Sequence, residues 1–127
     1  MGGLAYPNEP LPYPINLFGV ECNDGWLELI SELINKLIET GWNRDIKQIK
    51  EKFGGLRFHA GGLKNGMSKI IREYESRSYT ICETCGGQQN VKLRGTSWVK
   101  TLCDDCSVPW LERQNRLRQP PNNKNTT

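Results

Sequence analysis

The chain has 127 residues, 36% of them hydrophobic, and a formal net charge of +3, which suits one small domain or a domain with an appended module. It contains no run long and apolar enough for a transmembrane helix, and its first residues lack the basic region and apolar core of a secretion signal, so a cytoplasmic location is expected. The charge excess is a weak nucleic-acid signal: residues 1–79 hold ten basic and ten acidic residues, and the surplus lies entirely in residues 80–127.

Residues 1–14 carry Pro7, Pro10, Pro12 and Pro14 among Tyr6, Leu11 and Tyr13, a spacing that favours an extended, polyproline-like segment. The apolar run Ile15–Val20 follows, then Glu21-Cys22-Asn23-Asp24-Gly25-Trp26. Asn23 or Asp24 is suited to cap a helix running to about Thr40, with Gly41 as its stop. Trp26, Leu27, Leu29, Ile30, Leu33, Ile34, Leu37 and Ile38 form a wide apolar stripe on it, opposite Glu28, Ser31, Glu32, Asn35, Lys36 and Glu39. This helix is the main core element.

Arg44 to Phe58 reads as a hairpin turning at Gly54-Gly55. Alternation places Leu56 and Phe58 on one face of its second strand and Arg57 and His59 on the other. Met67, Ile70, Ile71 and Tyr74 recur at helical spacing, which predicts a second amphipathic helix over 66–77 with Asn65 as cap. Asn90–Leu93 and Ser97–Leu102 read as the arms of a second hairpin with Gly95 at its turn. From Gln119 onward the chain is too polar to fold.

The strongest chemical signal is Cys82-Glu83-Thr84-Cys85 and, after seventeen intervening residues, Cys103-Asp104-Asp105-Cys106. Two C-x-x-C pairs at this separation are a tetrahedral zinc signature. Each tight bend supplies two thiolates, and the intervening hairpin returns the second pair to the first. One structural Zn²⁺ held by Cys82, Cys85, Cys103 and Cys106 is expected, because four protein thiolates leave no open position for water or substrate. Knuckle, hairpin, then a second pair before a helix is treble-clef order; a zinc ribbon is the alternative. Cys22 is left over and reads as a buried, unreactive thiol.

Glu21 to Trp26, Lys50-Glu51-Lys52-Phe53-Gly54-Gly55-Leu56-Arg57-Phe58, and the two cysteine pairs occur in this order. Together they resemble a family of small bacteriophage and prophage proteins with ECGDGW-like, KEKFGGLRF-like and C-terminal zinc-knuckle motifs. The likeness spans roughly residues 17–106. Asn23 stands where the family pattern has Gly, and Cys106 where a His is common, which keeps a metal ligand. The resemblance implies a phage origin and an intracellular role, with no settled activity.

The middle motif has two readings. Phe53, Leu56 and Phe58 suit a core, with Gly54-Gly55 as a plain turn and Lys50, Lys52 and Arg57 as a solvated face. Alternatively, amides at Gly54 and Gly55 point at a phosphate that Lys50, Lys52 and Arg57 neutralise, while Trp26, Trp42 or Trp98 stacks on a base.

Three functions follow. The first is a non-enzymatic, zinc-stabilised, phage-type binding protein acting against host defence, by sequestering a nucleotide signal or by binding a host protein. The second is a DNA- or RNA-binding regulator using Arg113, Arg116 and Arg118. The third is a small nucleotide-acting enzyme using Glu21, Asp24 or His59. The expected fold is α+β: a long helix on a small antiparallel sheet, a second helix and a treble-clef-like module. The division is an extended segment 1–14, a core 15–79, a zinc module 80–118 and a disordered tail 119–127, with a homo-oligomer suggested by the apolar N-terminal strand.

Overall fold

The computed structural model describes residues 20–118. The expectations for the proline-rich segment, for residues 15–19 and for the tail fall outside the described residues. Those described form an α+β fold in the order β1 (Val20–Glu21), a 3-10 turn (Asp24–Trp26), α1 (Leu27–Glu39), β2 (Ile46–Lys52), β3 (Gly55–Ala60) and α2 (Met67–Arg77). A second 3-10 turn (Ser78–Thr80), β4 (Lys92–Arg94), β5 (Lys100–Leu102) and α3 (Asp104–Arg118) complete it. The first sheet has the order β1-β2-β3, with β1 parallel and β3 antiparallel to β2, so it is mixed rather than the antiparallel sheet expected: α1 is the crossover that returns the chain parallel to β1. β4 and β5 form a separate two-stranded sheet.

The apolar stripe of α1 is the core, as its spacing dictates. Leu29, Ile30, Leu33, Ile34, Leu37 and Ile38 are buried with Trp26, Trp42, Ile49, Leu56, Phe58, Met67, Ile71, Tyr74 and Ile81. Each such fully buried aliphatic side chain contributes roughly 1.5–3 kcal/mol. The helix ends as expected at Gly41, whose φ is 98°. The Gly41 amide donates to Ile38 and the Trp42 amide to Leu37, closing a Schellman motif.

Both predicted helix starts differ. Neither Asn23 nor Asp24 caps α1 with its side chain; the chain enters through a 3-10 turn. α2 follows left-handed Gly66 and has no side-chain cap, so Asn65 does not serve as one. The hairpin turn also sits one residue earlier than read. Lys52 pairs with Gly55, so Phe53 and Gly54 are the turn residues, with φ of 54° and 82°. Two positive φ values define a type I′ turn, whose twist matches the flanking strands. Gly55 is held in β3 because a Cβ there would run into the Tyr79 phenol.

In the C-terminal region, Cys82, Leu102 and Trp110 form a small second core, with Val91, Cys103, Cys106 and Leu111 packed against it. α3 starts at Asp104, between the second cysteine pair, and carries Pro109 inside it. Knuckle, hairpin and terminal helix therefore follow one another in the treble-clef order.

Candidate metal centre

The sulfurs of Cys82, Cys85, Cys103 and Cys106 all lie within 4.8 Å of one another. The Cys85 and Cys103 sulfurs are 3.8 Å apart. A tetrahedron with metal–sulfur bonds of about 2.3 Å has edges of about 3.8 Å, so this spacing fits one ion held by four thiolates.

The backbone is arranged for thiolates. The Gly87 amide donates to the Cys85 sulfur at 3.3 Å, and the Cys106 amide to the Cys103 sulfur at 3.4 Å. Gly86, at φ 80°, makes the bend, and its amide donates to the Cys82 carbonyl at 2.9 Å. Burial opposes ionisation of Cys82, but amides at Cys103, Cys85 and Thr84 outweigh it and bring the thiol down to about 7. Burial, then the thiols beside it, push Cys106 up. Four thiols crowded together without a cation cannot all ionise cheaply, whereas a bound cation removes that penalty.

All three sequence motifs meet at this knuckle. From the first, Gly25 donates its amide to the Glu83 carbonyl at 2.7 Å, and the Trp26 indole donates to the Ile81 carbonyl at 2.9 Å. Gly25 has no alternative residue there, because a Cβ would strike the Cys82 and Glu83 carbonyls. From the second, the Gly54 carbonyl accepts from the Thr101 hydroxyl at 2.6 Å, and the Leu56 amide donates to the Ser78 hydroxyl at 2.9 Å. The Phe58 amide donates to Glu75 at 2.9 Å.

At the middle of this joint lies a buried ion pair that sequence reasoning missed. Glu83, 1% exposed, accepts from the Asn23 amide at 3.1 Å and pairs with the Lys100 amine at 3.4 Å. A glutamate inside a C-x-x-C turn carries no sequence signal of burial; only the joint explains it. Cys22 borders the same cluster. Burial first, then the Glu83 charge, push its thiol up to about 12, which fits the unreactive thiol expected, although Cys22 is half-buried rather than buried.

The remaining candidates separate. Trp26 and Trp42 are fully buried, with their indole N–H groups bonded to Ile81 and Gly61, so neither presents a face to a ligand. The Gly54 amide donates to Glu51 at 2.7 Å, and Gly54 and Gly55 are both buried, which leaves no phosphate cradle in that turn. Their role is in the joint. Lys50, Lys52 and Arg57, by contrast, come together on the outer face of the sheet, where Lys50 pairs with Arg57 and Lys52 with Gly55. Glu21, opposite Lys50 on β1, accepts from Gln48 at 3.4 Å, and exposed His59 pairs with Gln48 on the same face. Asp24 lies in the 3-10 turn. Trp98 sits elsewhere, 55% exposed beside α3. Arg113 and Arg116 are exposed on α3.

Comparison with protein-family models, curated proteins and solved structures finds no match to this chain. Among the described residues no helix is long and apolar enough to cross a membrane.

Proposed function

We propose that this chain is a zinc-stabilised binding protein that recognises a phosphate-bearing ligand on the outer face of its three-stranded sheet and does not catalyse. Zinc is the metal favoured by four sulfur donors in a closed tetrahedral set, and it adds no redox chemistry. Its task is to hold the C-terminal module against the core through the joint described above. A nucleotide signal of host antiviral defence is the specific ligand favoured, in keeping with the phage-like motifs.

The observation that carries the binding reading is the division of labour within one motif. Leu56 and Phe58 pack inward, and Gly54 bonds to Glu51 and Thr101. Lys50, Lys52 and Arg57 share the opposite face, and Phe53 projects from the tip 70% exposed. Phe53 holds φ 54°, an unfavourable conformation for a bulky residue, with the Lys52 amine 5.6 Å from its ring. Cations beside an exposed aromatic suit a phosphate with a base or sugar attached.

The test is calorimetric titration of metal-loaded protein with cyclic and ADP-ribose-type nucleotides. Binding is expected, and Arg57→Ala alone should weaken it roughly tenfold, the scale of one charge-assisted hydrogen bond. No binding across the panel would remove this reading. Steeply salt-dependent binding to DNA or RNA, indifferent to Lys50, Lys52 and Arg57 but lost on substituting Arg113 and Arg116, would establish the nucleic-acid regulator instead.

A further inference from the structure

We propose that the groove between the β4–β5 hairpin and α3 is a second site, one that stacks a nucleobase on Trp98 and holds its phosphate at Arg113. The groove has a volume of about 670 Å³ and is lined by Trp98, Trp110, Arg113, Gln114, Asn23 and Asp105, among others. That volume falls in the range of small-molecule sites, roughly 300–1,000 Å³.

Its aromatic wall is braced. Trp110 is 8% exposed and lies 2.9 Å from where a Cβ on Gly95 would sit, so only glycine leaves room for it at the hairpin turn. Trp98 meets Trp110 edge to face, with centroids 6.1 Å apart and planes at 80°. Trp110 is buried, and Trp98 packs against it with more than half its own surface in water. An exposed aromatic plane of this kind is what sequence-tolerant stacking platforms offer a base.

The polar groups suit a nucleotide rather than a plain aromatic. Trp110, Arg113 and Gln114 are spaced to share one face of α3. Lys100 also lines the groove, but its amine is paired with buried Glu83, so Arg113 is the cation presented to an anion. Asp105 repels an anion, so the phosphate is assigned to Arg113 and away from it. The side-chain amides of Asn23 and Gln114 carry both donors and acceptors for a base edge. None of these residues belongs to the cationic sheet face, so the two sites stand or fall separately.

The probe is the set of four nucleoside 5′-monophosphates, titrated into metal-loaded protein and followed by tryptophan fluorescence and calorimetry. Quenching with saturable binding is expected. Trp98→Ala should weaken binding roughly 5- to 150-fold, and Trp98→Phe should restore part of it, because stacking needs only an aromatic plane. Arg113→Gln should weaken the monophosphates while leaving the nucleosides unchanged. In the combined Lys50→Ala, Lys52→Ala and Arg57→Ala protein, which removes the sheet-face site, the tryptophan quenching and its loss on Trp98→Ala should persist, which separates this site from the sheet face. Unchanged affinity in both Trp98→Ala and Arg113→Gln, or no binding by the parent, would overturn the assignment. Quenching by an apolar peptide and not by nucleotides would overturn it in favour of a protein partner.

Discussion

The Glu83–Lys100 pair lies within the C-terminal module and holds the carboxylate that the Asn23 amide of the core bonds, so it gives the joint a measurable strength. Glu83 is 1% exposed and the Lys100 side chain 12%, so each charge relies on the other. Lys100→Met keeps the aliphatic stem but strands a buried carboxylate, whose Oε1 loses its counter-charge while its Oε2 accepts from the Asn23 amide at 3.1 Å. Removing one member of a buried pair costs about 3–5 kcal/mol, and slight access of water to the amine places this case near about 3. Glu83→Gln retains an acceptor for the Asn23 amide and strands only the better-hydrated amine, so about 1–2 kcal/mol is expected. The double variant removes both charges and should recover most of the loss, because a neutral pair of similar volume is often as stable as the ion pair. Urea unfolding of metal-loaded protein reads this directly. With a slope of about 1.5 kcal/mol per molar urea, Lys100→Met should lower the midpoint by roughly 2 M. Metal content must be equal in all variants, since Glu83 lies between two of the metal-ligand cysteines. Single variants within about 0.5 kcal/mol of the parent, adding without interaction in the double, would refute the claim that this pair locks the joint.

Three further outcomes follow from the same geometry. Gly25→Ala should cost at least about 2–3 kcal/mol, because its Cβ would meet the Cys82 and Glu83 carbonyls and backbone cannot give way cheaply; a thermal-melt shift within error of zero would contradict this. Stripping the metal with a chelator should speed hydrogen exchange at the Asn23 and Gly25 amides, which bond across the joint to Glu83, before it affects Leu33 to Ile38 in the buried face of α1; uniform exchange would show that the knuckle and core do not open separately. A thiol titrating at about 12 is ionised in about one molecule in ten thousand at pH 8. Native Cys22 should therefore resist iodoacetamide at pH 8, and mass spectrometry should find it modified only after unfolding.

Local pattern made some elements legible and left others hidden. The stripe of α1 and the alternation of Leu56 and Phe58 depend on neighbours in sequence and appear largely as read, except that Leu27 is half-buried, Trp26 sits in the 3-10 turn before the helix and Ser31, read on the polar side, is buried. The cysteine spacing likewise anticipates the four-sulfur cluster. What the sequence hides is decided by contacts distant along the chain. Gly55 reads as a turn residue until the Tyr79 ring is seen against it. Asn23 reads as a helix cap, yet its backbone amide serves Glu83, sixty residues away. Trp26 reads as a stacking candidate, but its indole is the strut between α1 and the entry to the knuckle. The aromatic groove was half visible: Trp98 stood out, whereas its bracing by Trp110 and Gly95 required the hairpin and α3 to be folded together.

Zinc-edge X-ray absorption of protein purified without chelators tests the metal centre most directly. The four-sulfur cluster predicts one zinc ion per chain, with a first shell of four sulfurs at about 2.3 Å. Folded protein without metal, or zinc bound through a mixed nitrogen and oxygen shell, would contradict a centre made by Cys82, Cys85, Cys103 and Cys106.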